Sequence, residues 1–461
     1  MPPTVVQFHA VNINQSQTAA SAEGSVRRWV LIGISLIGII VIGLIVQHRT
    51  SKNRADAGVA ALKAKGLPVN LAELDLSYSV PPGSTNAADF YNQAFGALIS
   101  YDWNSTNAPT HHEVKLGAPY ATGMLPFLKQ WIATNQTTLK LVHDGARHPA
   151  CRYPKNYNAG IYTLLPHLGK LKSCVQLLSW DAVLRAEAGD LDGAIHSLES
   201  AFALSDSLIN APDIIGHLVR TAGHAIVNIR LEEMMNRHSF SDAQLVRLGR
   251  LFEGRETPGN LRVAFSGELC TGLDVFTNPQ SAQAAVSGGT TGESIAIAGL
   301  KVAGFWERDR EFFVDVYAGY FKAVALPFPE ALEKAEFIDT KVESNPGGLR
   351  RYISGMLLYA IGGVIEKEAR RVAMLRMTQT AIAIERYRLA NGGALPETLE
   401  LLAPEFLPSI LHDPFDGQPL RYRQLDKGYI VYSLGPDKED NEGDLEPDES
   451  QPKDERFRIF R

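Results

Sequence analysis

Residues Leu164–Leu208 read LLPHLGKLKSCVQLLSWDAVLRAEAGDLDGAIHSLESAFALSDSL. The apolar residues Leu168, Leu171, Val175, Leu178 and Ala182, followed by Leu184 or Arg185, recur every three or four positions, which is the period of one helix face. Gly189 and Asp190 break the run, and Ala194, Ile195, Leu198, Phe202 and Leu208 carry a second one. Two amphipathic runs joined by so short a break predict an antiparallel helical hairpin.

The helical pattern extends in both directions. A further helix is expected over Ile214–Met235, and Ser241 with Gln244 gives the capping-box signature of another, Asp242–Glu253. Upstream, Asn70–Leu98 holds a Pro-Pro-Gly turn and a helix beginning near Asn86. The small residues Ala182, Ala194 and Ala201 around the Gly189-Asp190 break resemble half of a tetratricopeptide unit, but no second copy follows at a period of about 34 residues, and at least three are needed for a self-supporting stack. The expected fold over residues 56–343 is therefore mainly α, an irregular helical bundle containing one tetratricopeptide-like hairpin. Asn278–Glu293 is small, polar and Gly-rich, which predicts a mobile loop. Gly292 is followed by Glu293 and Ser294, so the loop lacks the closing Lys-Ser/Thr of a phosphate cradle. After the SNPGG break at Ser344–Gly348, one long helix is expected over residues 349–389.

From Trp29 to Val46 the chain reads WVLIGISLIGIIVIGLIV, without a charge, and as a helix it would span about 27 Å, roughly one hydrocarbon core. The basic sequence QHRTSKNR after it is unlike a signal-peptide cleavage site, so residues 29–46 are expected to be an uncleaved transmembrane helix. Residues 1–26, rich in Gln, Asn, Ser and Ala, are expected to form a disordered tail. Arg49, Lys52, Arg54, Lys63 and Lys65 outnumber Arg27 and Arg28 across the span and taken alone would keep the C-terminal bulk in the cytoplasm, although long domains translocate despite such charges. Cys151, Cys174 and Cys270 have no metal-type spacing. Buried free thiols are expected, with a Cys151–Cys174 disulfide as the alternative in an oxidising compartment. A net charge of -6 over 461 residues, with no basic stripe interleaved with aromatics, gives no reason to expect a nucleic-acid partner.

The C-terminal sixth carries three motifs: Tyr387-Arg388-x-x-Asn391-Gly392, then Asp413-Pro414-x-x-x-x-Pro419-x-x-Tyr422, then Tyr432-Ser433-x-Gly435-x-Asp437. In this order they resemble the soluble half of a major pseudopilin of bacterial type II secretion. The resemblance implies a small α+β module over 381–461 with a short antiparallel sheet, an extracytoplasmic location for the bulk of the chain, and attachment to the bacterial inner membrane by a single pass. It also implies a calcium ion in the acidic loop after Tyr432-Ser433. The matching residues are Asp437, Asp440 and Asp444, with the carbonyl of Leu434 as a further donor; Lys438 stands where the family has Gly. A merely solvated acidic loop is the competing reading, because so many like charges repel unless solvated, screened or bound to a cation. The pseudopilin N-terminal Phe-Thr-Leu-Ile-Glu motif is missing, so the resemblance does not extend to assembly into a pseudopilus. More loosely, the whole region after the anchor resembles a group of uncharacterised membrane-anchored bacterial proteins ending in the same module.

Motifs that would name a reaction are lacking. His111 and His112 are adjacent, and His143 and His148 are five apart, so neither pair has the one-turn spacing of a helical zinc site. His217 and His224 share a face at i, i+7, with no carboxylate nearby in sequence to join them. The expected function is an extracytoplasmic interaction or assembly protein of the envelope with protein partners. The alternative is a hydrolase with a site assembled around His111, His112 or His143.

Overall fold

The computed structural model describes residues 14–100, 116–121, 123–256, 259–287, 301, 304–344, 351–359, 361, 363–443 and 454–460. The apolar stretch and the segments on either side of it form a single helix, α1 (Asn14–Ala64), 51 residues and about 76 Å long. It begins inside the segment expected to be disordered, where no proline lies between Asn14 and the apolar run; residues 1–13 lie outside the described set. Between Trp29 and Val46 its large apolar side chains face outward, and it is the one described helix long and apolar enough to cross a membrane. Little more than a turn later the same helix becomes part of the body. Ser51, Ala55 and Leu62, spaced for one face, are buried.

The partner of that face is α12 (Phe305–Ala323). The two run side by side closely enough that a Cβ on Gly58 would stand 2.6 Å from Val314 Cγ1. The ion pairs Arg54–Glu311 (3.4 Å) and Asp56–Arg310 (2.8 Å) flank the contact.

Between these two in chain order lie α2 (Leu71–Ser77), α3 (Ala87–Ala97), α4 (Met124–Thr134), α5 (Gln136–Gly145), α6 (His167–Glu187), α7 (Leu191–Asp206), α8 (Ile214–Arg237), α9 (Asp242–Phe252), α10 (Gly259–Thr277) and α11 (Pro279–Ser287). α6 and α7 form the expected hairpin. Gly189 takes the left-handed conformation (φ 83°), and Asp190 caps α7 by accepting the Gly193 N–H at 2.9 Å. The capping box of Ser241 and Gln244 is present at the start of α9. Asn86 caps α3 and also binds the Arg152 backbone at both N–H and C=O, each at 2.9 Å, which ties a distant loop to the helix start. The three cysteines are free, with Cys174 and Cys270 buried.

Two further expectations need correction. The stretch expected to be a loop from Asn278 is helical as α11 up to Ser287, with Ala282 buried and Ala285 packed against the core; 288–300 lie outside the described residues. The helix expected over 349–389 is two helices, α14 (Tyr352–Tyr359) and α15 (Val364–Ala390), with α13 (Glu330–Glu343) before them. Gly363 at φ 75°, the left-handed conformation that glycine adopts readily, separates them.

The C-terminal sheet is antiparallel in the order β1 (Arg421–Leu425), β2 (Gly428–Ser433), β3 (Glu455–Ile459), with Val431 opposite both Tyr422 and Phe457. Its face packs on α15, where Tyr429 donates to the Ala381 carbonyl at 3.1 Å. The outer edge of β3 is covered by α8. Glu232 accepts from Arg458 N (2.8 Å), and Asn236 bonds both Arg458 O (2.8 Å) and Phe460 N (2.7 Å). Side chains of a helix thus satisfy an edge strand that would otherwise invite pairing with another chain.

At the other end of α8, α10 presses on its entry. A Cβ on Gly267 would lie 1.6 Å from the Pro212 carbonyl oxygen, whereas one on the exposed Gly96 in α3 would meet nothing. Gly267→Ala should destabilise the fold by about 1–3 kcal/mol or more. Gly96→Ala should stabilise it by up to about 1 kcal/mol through helix propensity. Denaturant unfolding of the two variants checks this pair; equal midpoints would contradict the close approach.

Candidate functional site

The helical period of α8 places His217, Arg220 and His224 on one buried face. The structure supplies from other helices the carboxylates that the local sequence lacks. Asp206, the last residue of α7, accepts from Arg220 Nε at 2.7 Å and from His224 Nε2 at 3.0 Å on one oxygen, and pairs with Arg255 on the other. Glu368 on α15 lies 3.2 Å from His217 Nε2 and accepts from Arg371 through both oxygens. Arg371 then donates to the backbone carbonyl of Arg255 at 3.2 and 3.3 Å, which joins the two clusters. Phe202 stacks on the His224 ring at 4.2 Å.

Burial works against ionising Asp206, but His224, Arg220 and Arg255 override it and hold the carboxyl well below its usual range. Burial likewise opposes the Glu368 charge, and Arg371 with His217 overcomes it. Burial is the leading influence on His224 and lowers its pKa to about 4, so the ring is neutral near pH 7, with Nε2–H donating to Asp206 and Nδ1 left without a partner. Such a cluster, closed inside packed helices, is a structural lock across α7, α8 and α15. Its carboxylates are spoken for by guanidinium groups, and removing one partner would strand a charge.

The acidic loop is arranged differently. Asp437 and Asp440 are exposed, and each caps the backbone two residues on: Asp437 accepts from Glu439 N (3.1 Å) and Asp440 from Glu442 N (2.9 Å). Lys438 adopts φ 56°, a left-handed conformation that favours Gly. Leu434 is buried, with its N–H held by Asp413 at 2.9 Å, and Asp444 lies outside the described residues. Among the described residues no three His, Cys, Asp or Glu side chains converge as a metal site. The described donors therefore do not make the six-to-eight-oxygen shell that calcium takes.

Asp413 organises this module. Fully buried, it accepts from Ser433 Oγ (2.8 Å), Phe415 N (2.9 Å), Leu434 N (2.9 Å) and Arg421 Nη1 (3.0 Å). The Asp-Pro and Tyr-Ser motifs thus meet through one carboxylate.

Of the other histidines, His111 and His112 lie outside the described residues. His143 Nδ1 is 2.7 Å from Ser200 Oγ and stacks on His196 at 4.7 Å. Ser200 is buried and donates to the His196 carbonyl at 3.0 Å, an arrangement that packs the hydroxyl rather than presenting it to a substrate. His238 and Glu187 meet at 3.2 Å beside a wide cavity of about 650 Å³, which also includes Tyr120 and Arg237 but has no Ser, Thr or Cys in its lining among the described residues. Three further cavities lie between helices, the smallest, about 170 Å³, beside Leu261, Phe328 and Val372. One, about 490 Å³, is walled by α13, the start of α15 and the acidic loop, and gathers Glu336, Asp339, Glu343, Glu366 and Asp437 around a single cation, Lys438. Another, about 820 Å³, lies between α1 and α12.

No family model, curated protein or solved structure matches the chain.

Two variants test the lock. Glu368→Ala strands Arg371 and should cost about 3–5 kcal/mol in unfolding free energy. His224 stabilises the fold as a neutral ring above the ordinary value of 6.5, and that contribution is lost as pH falls toward about 4. His224→Gln keeps a donor to Asp206 without titrating, so its melting temperature should fall less than that of the unaltered chain across this window. A parallel decline in both would refute the assignment.

Proposed function

We propose that this chain is a single-pass, membrane-anchored component of the bacterial envelope. In this reading its α-helical body lies outside the cytoplasm and docks protein partners during assembly of an envelope complex. The observation that carries this is the continuity of α1: an outward-facing apolar stretch passes without a break into a buried interface with α12. An anchor built this way fixes the orientation of the body to the bilayer, a property useful to a docking platform. The five cations after the span do not decide against this orientation, because long domains translocate largely regardless of such charges.

The cavities support binding over catalysis. The acidic cleft is an open groove of a kind suited to a basic segment of a partner, and its wall includes the C-terminal module that resembles a pseudopilin. The hydrolase alternative has the His238–Glu187 pair to draw on, without a nucleophile beside it among the described residues.

The test uses the full chain expressed in a bacterium. It should resist alkaline extraction from membranes, and a single cysteine introduced at exposed Glu336, with the native cysteines replaced, should react with an impermeant maleimide in intact spheroplasts. Extraction with soluble proteins would remove the anchor reading, and labelling only after lysis would reverse the orientation. A photocrosslinker at Glu336, in the acidic cleft, should yield a discrete adduct, and the same probe at Gln93, on the exposed face of α3, should yield none. The same adducts from both positions, or none from Glu336, would remove the cleft as a docking surface.

A further inference from the structure

The groove between α1 and α12 starts within the apolar stretch and ends beyond it. Its α1 wall is formed by Gly43 and Val46 inside the stretch, and by Thr50, Arg54 and Gly58 after it, spaced for one helix face. α12 runs parallel to α1 here. A Cβ on Gly304, just before the start of α12, would lie 3.6 Å from the Leu44 carbonyl oxygen, and Glu311 pairs with Arg54. Arg308 lies between these contacts and so sits opposite the turn of α1 around Ser51. That level is about 8 Å past Val46, where the headgroups of a bilayer begin once its hydrocarbon core ends at the apolar stretch.

The charges in the groove do not balance. Four cations line it, Arg54, Arg308, Lys341 and Arg351, against two anions, Glu311 and Asp315. The anions are taken, Glu311 by Arg54 at 3.4 Å and Asp315 by Lys341 at 3.3 Å. The nearby Asp309 carboxylate caps α14, accepting from Ile353 N at 2.8 Å and Ser354 N at 3.2 Å, and acts on Arg351 through its charge without forming an ion pair with it. Arg308 and Arg351 are therefore left without a carboxylate partner among the described residues. Arg351 lies over the Phe312 ring at 3.7 Å, and its Nη1 is buried with nothing to donate to. Burial first, and then the neighbouring Arg308, push its guanidinium below the ordinary range against the opposing charge of Asp309.

Two unpaired guanidinium groups beside an apolar wall are suited to a phosphodiester, whose oxygens accept their forked N–H donors while the glycerol and acyl part covers carbon. Resting on the reading of α1 as a membrane span, we propose that this groove binds the phosphate of an anionic phospholipid from the surrounding bilayer. The lipid would neutralise Arg308 and Arg351 and pin the body to the membrane surface at a second point.

The experiment is native mass spectrometry of the full chain in detergent, with phosphatidylglycerol, phosphatidylcholine or inorganic phosphate added. Flotation with vesicles of each lipid serves as the control for the anchor. The unaltered chain should retain phosphatidylglycerol in preference to phosphatidylcholine, and the Arg308→Gln/Arg351→Gln double variant should lose that preference by on the order of tenfold. Both should float with either vesicle, because the apolar span is untouched. Equal retention of the two lipids by the unaltered chain, or a preference that survives the double variant, overturns the proposal. Inorganic phosphate retained as well as phosphatidylglycerol overturns the lipid assignment. If the double variant does not fold, Arg308→Gln alone, at an exposed residue, decides between the same outcomes. Failure of the unaltered chain to float with either vesicle would instead remove the anchor reading, and this result is separate from any change in lipid preference.

Discussion

The structure depends on how α15 buries charge. A helix with Glu368, Arg371 and Arg376 along it can enter a protein interior only if each charge meets its complement there, because an unpaired buried ion costs several kcal/mol. Glu368 and Arg371 satisfy each other and reach His217 and the Arg255 backbone. Arg376 forks onto Glu256 at 2.9 and 2.6 Å and donates to the His412 carbonyl at 2.6 Å. The same helix then provides the floor of the C-terminal sheet. Body and module are consequently one packed unit, tied by polar contacts whose geometry is specific and by apolar contacts whose geometry is not.

A second constraint is the length of α1. A helix that leaves an apolar stretch and immediately buries Ser51, Ala55 and Leu62 cannot swivel as a tethered domain would. The orientation of the helical body, and of the acidic cleft on it, follows from the direction of that rod. The groove beside the rod extends the same logic, since a lipid phosphate at Arg308 and Arg351 would resist tilting about the single point of attachment.

The three C-terminal motifs hold the small module together. Asp413 gathers the start of the sheet and the exit of β2 on one buried carboxylate, Tyr422 donates to the Pro396 carbonyl at 3.0 Å, and Asn391 closes α15. Asp437 and Asp440, by contrast, cap their own loop, which is enough to shape an exposed acidic turn.

Local patterns in the sequence determined much of the architecture. The stripes of α6 and α7, the capping box of α9, the Asn86 cap and the uncharged run from Trp29 to Val46 are properties of neighbouring residues, and helical period and capping act over that range. The break at Gly363 and the helix α11 were misread for the same reason, since packing against other elements decides whether a small or Gly-rich segment turns or continues. The buried lock was not legible at all. His217 and His224 showed their shared face, but Asp206, Arg255, Glu368 and Arg371 come from three other parts of the chain, and no sequence spacing relates them. The groove at the end of the anchor depends likewise on α12 and on Arg351, far along the chain from α1. Sequence alone established a mainly helical protein with one apolar helix long enough to cross a membrane, because helix period and apolar length are local. Which charges meet, and which are left without partners, was decided only when tertiary packing brought distant helices together.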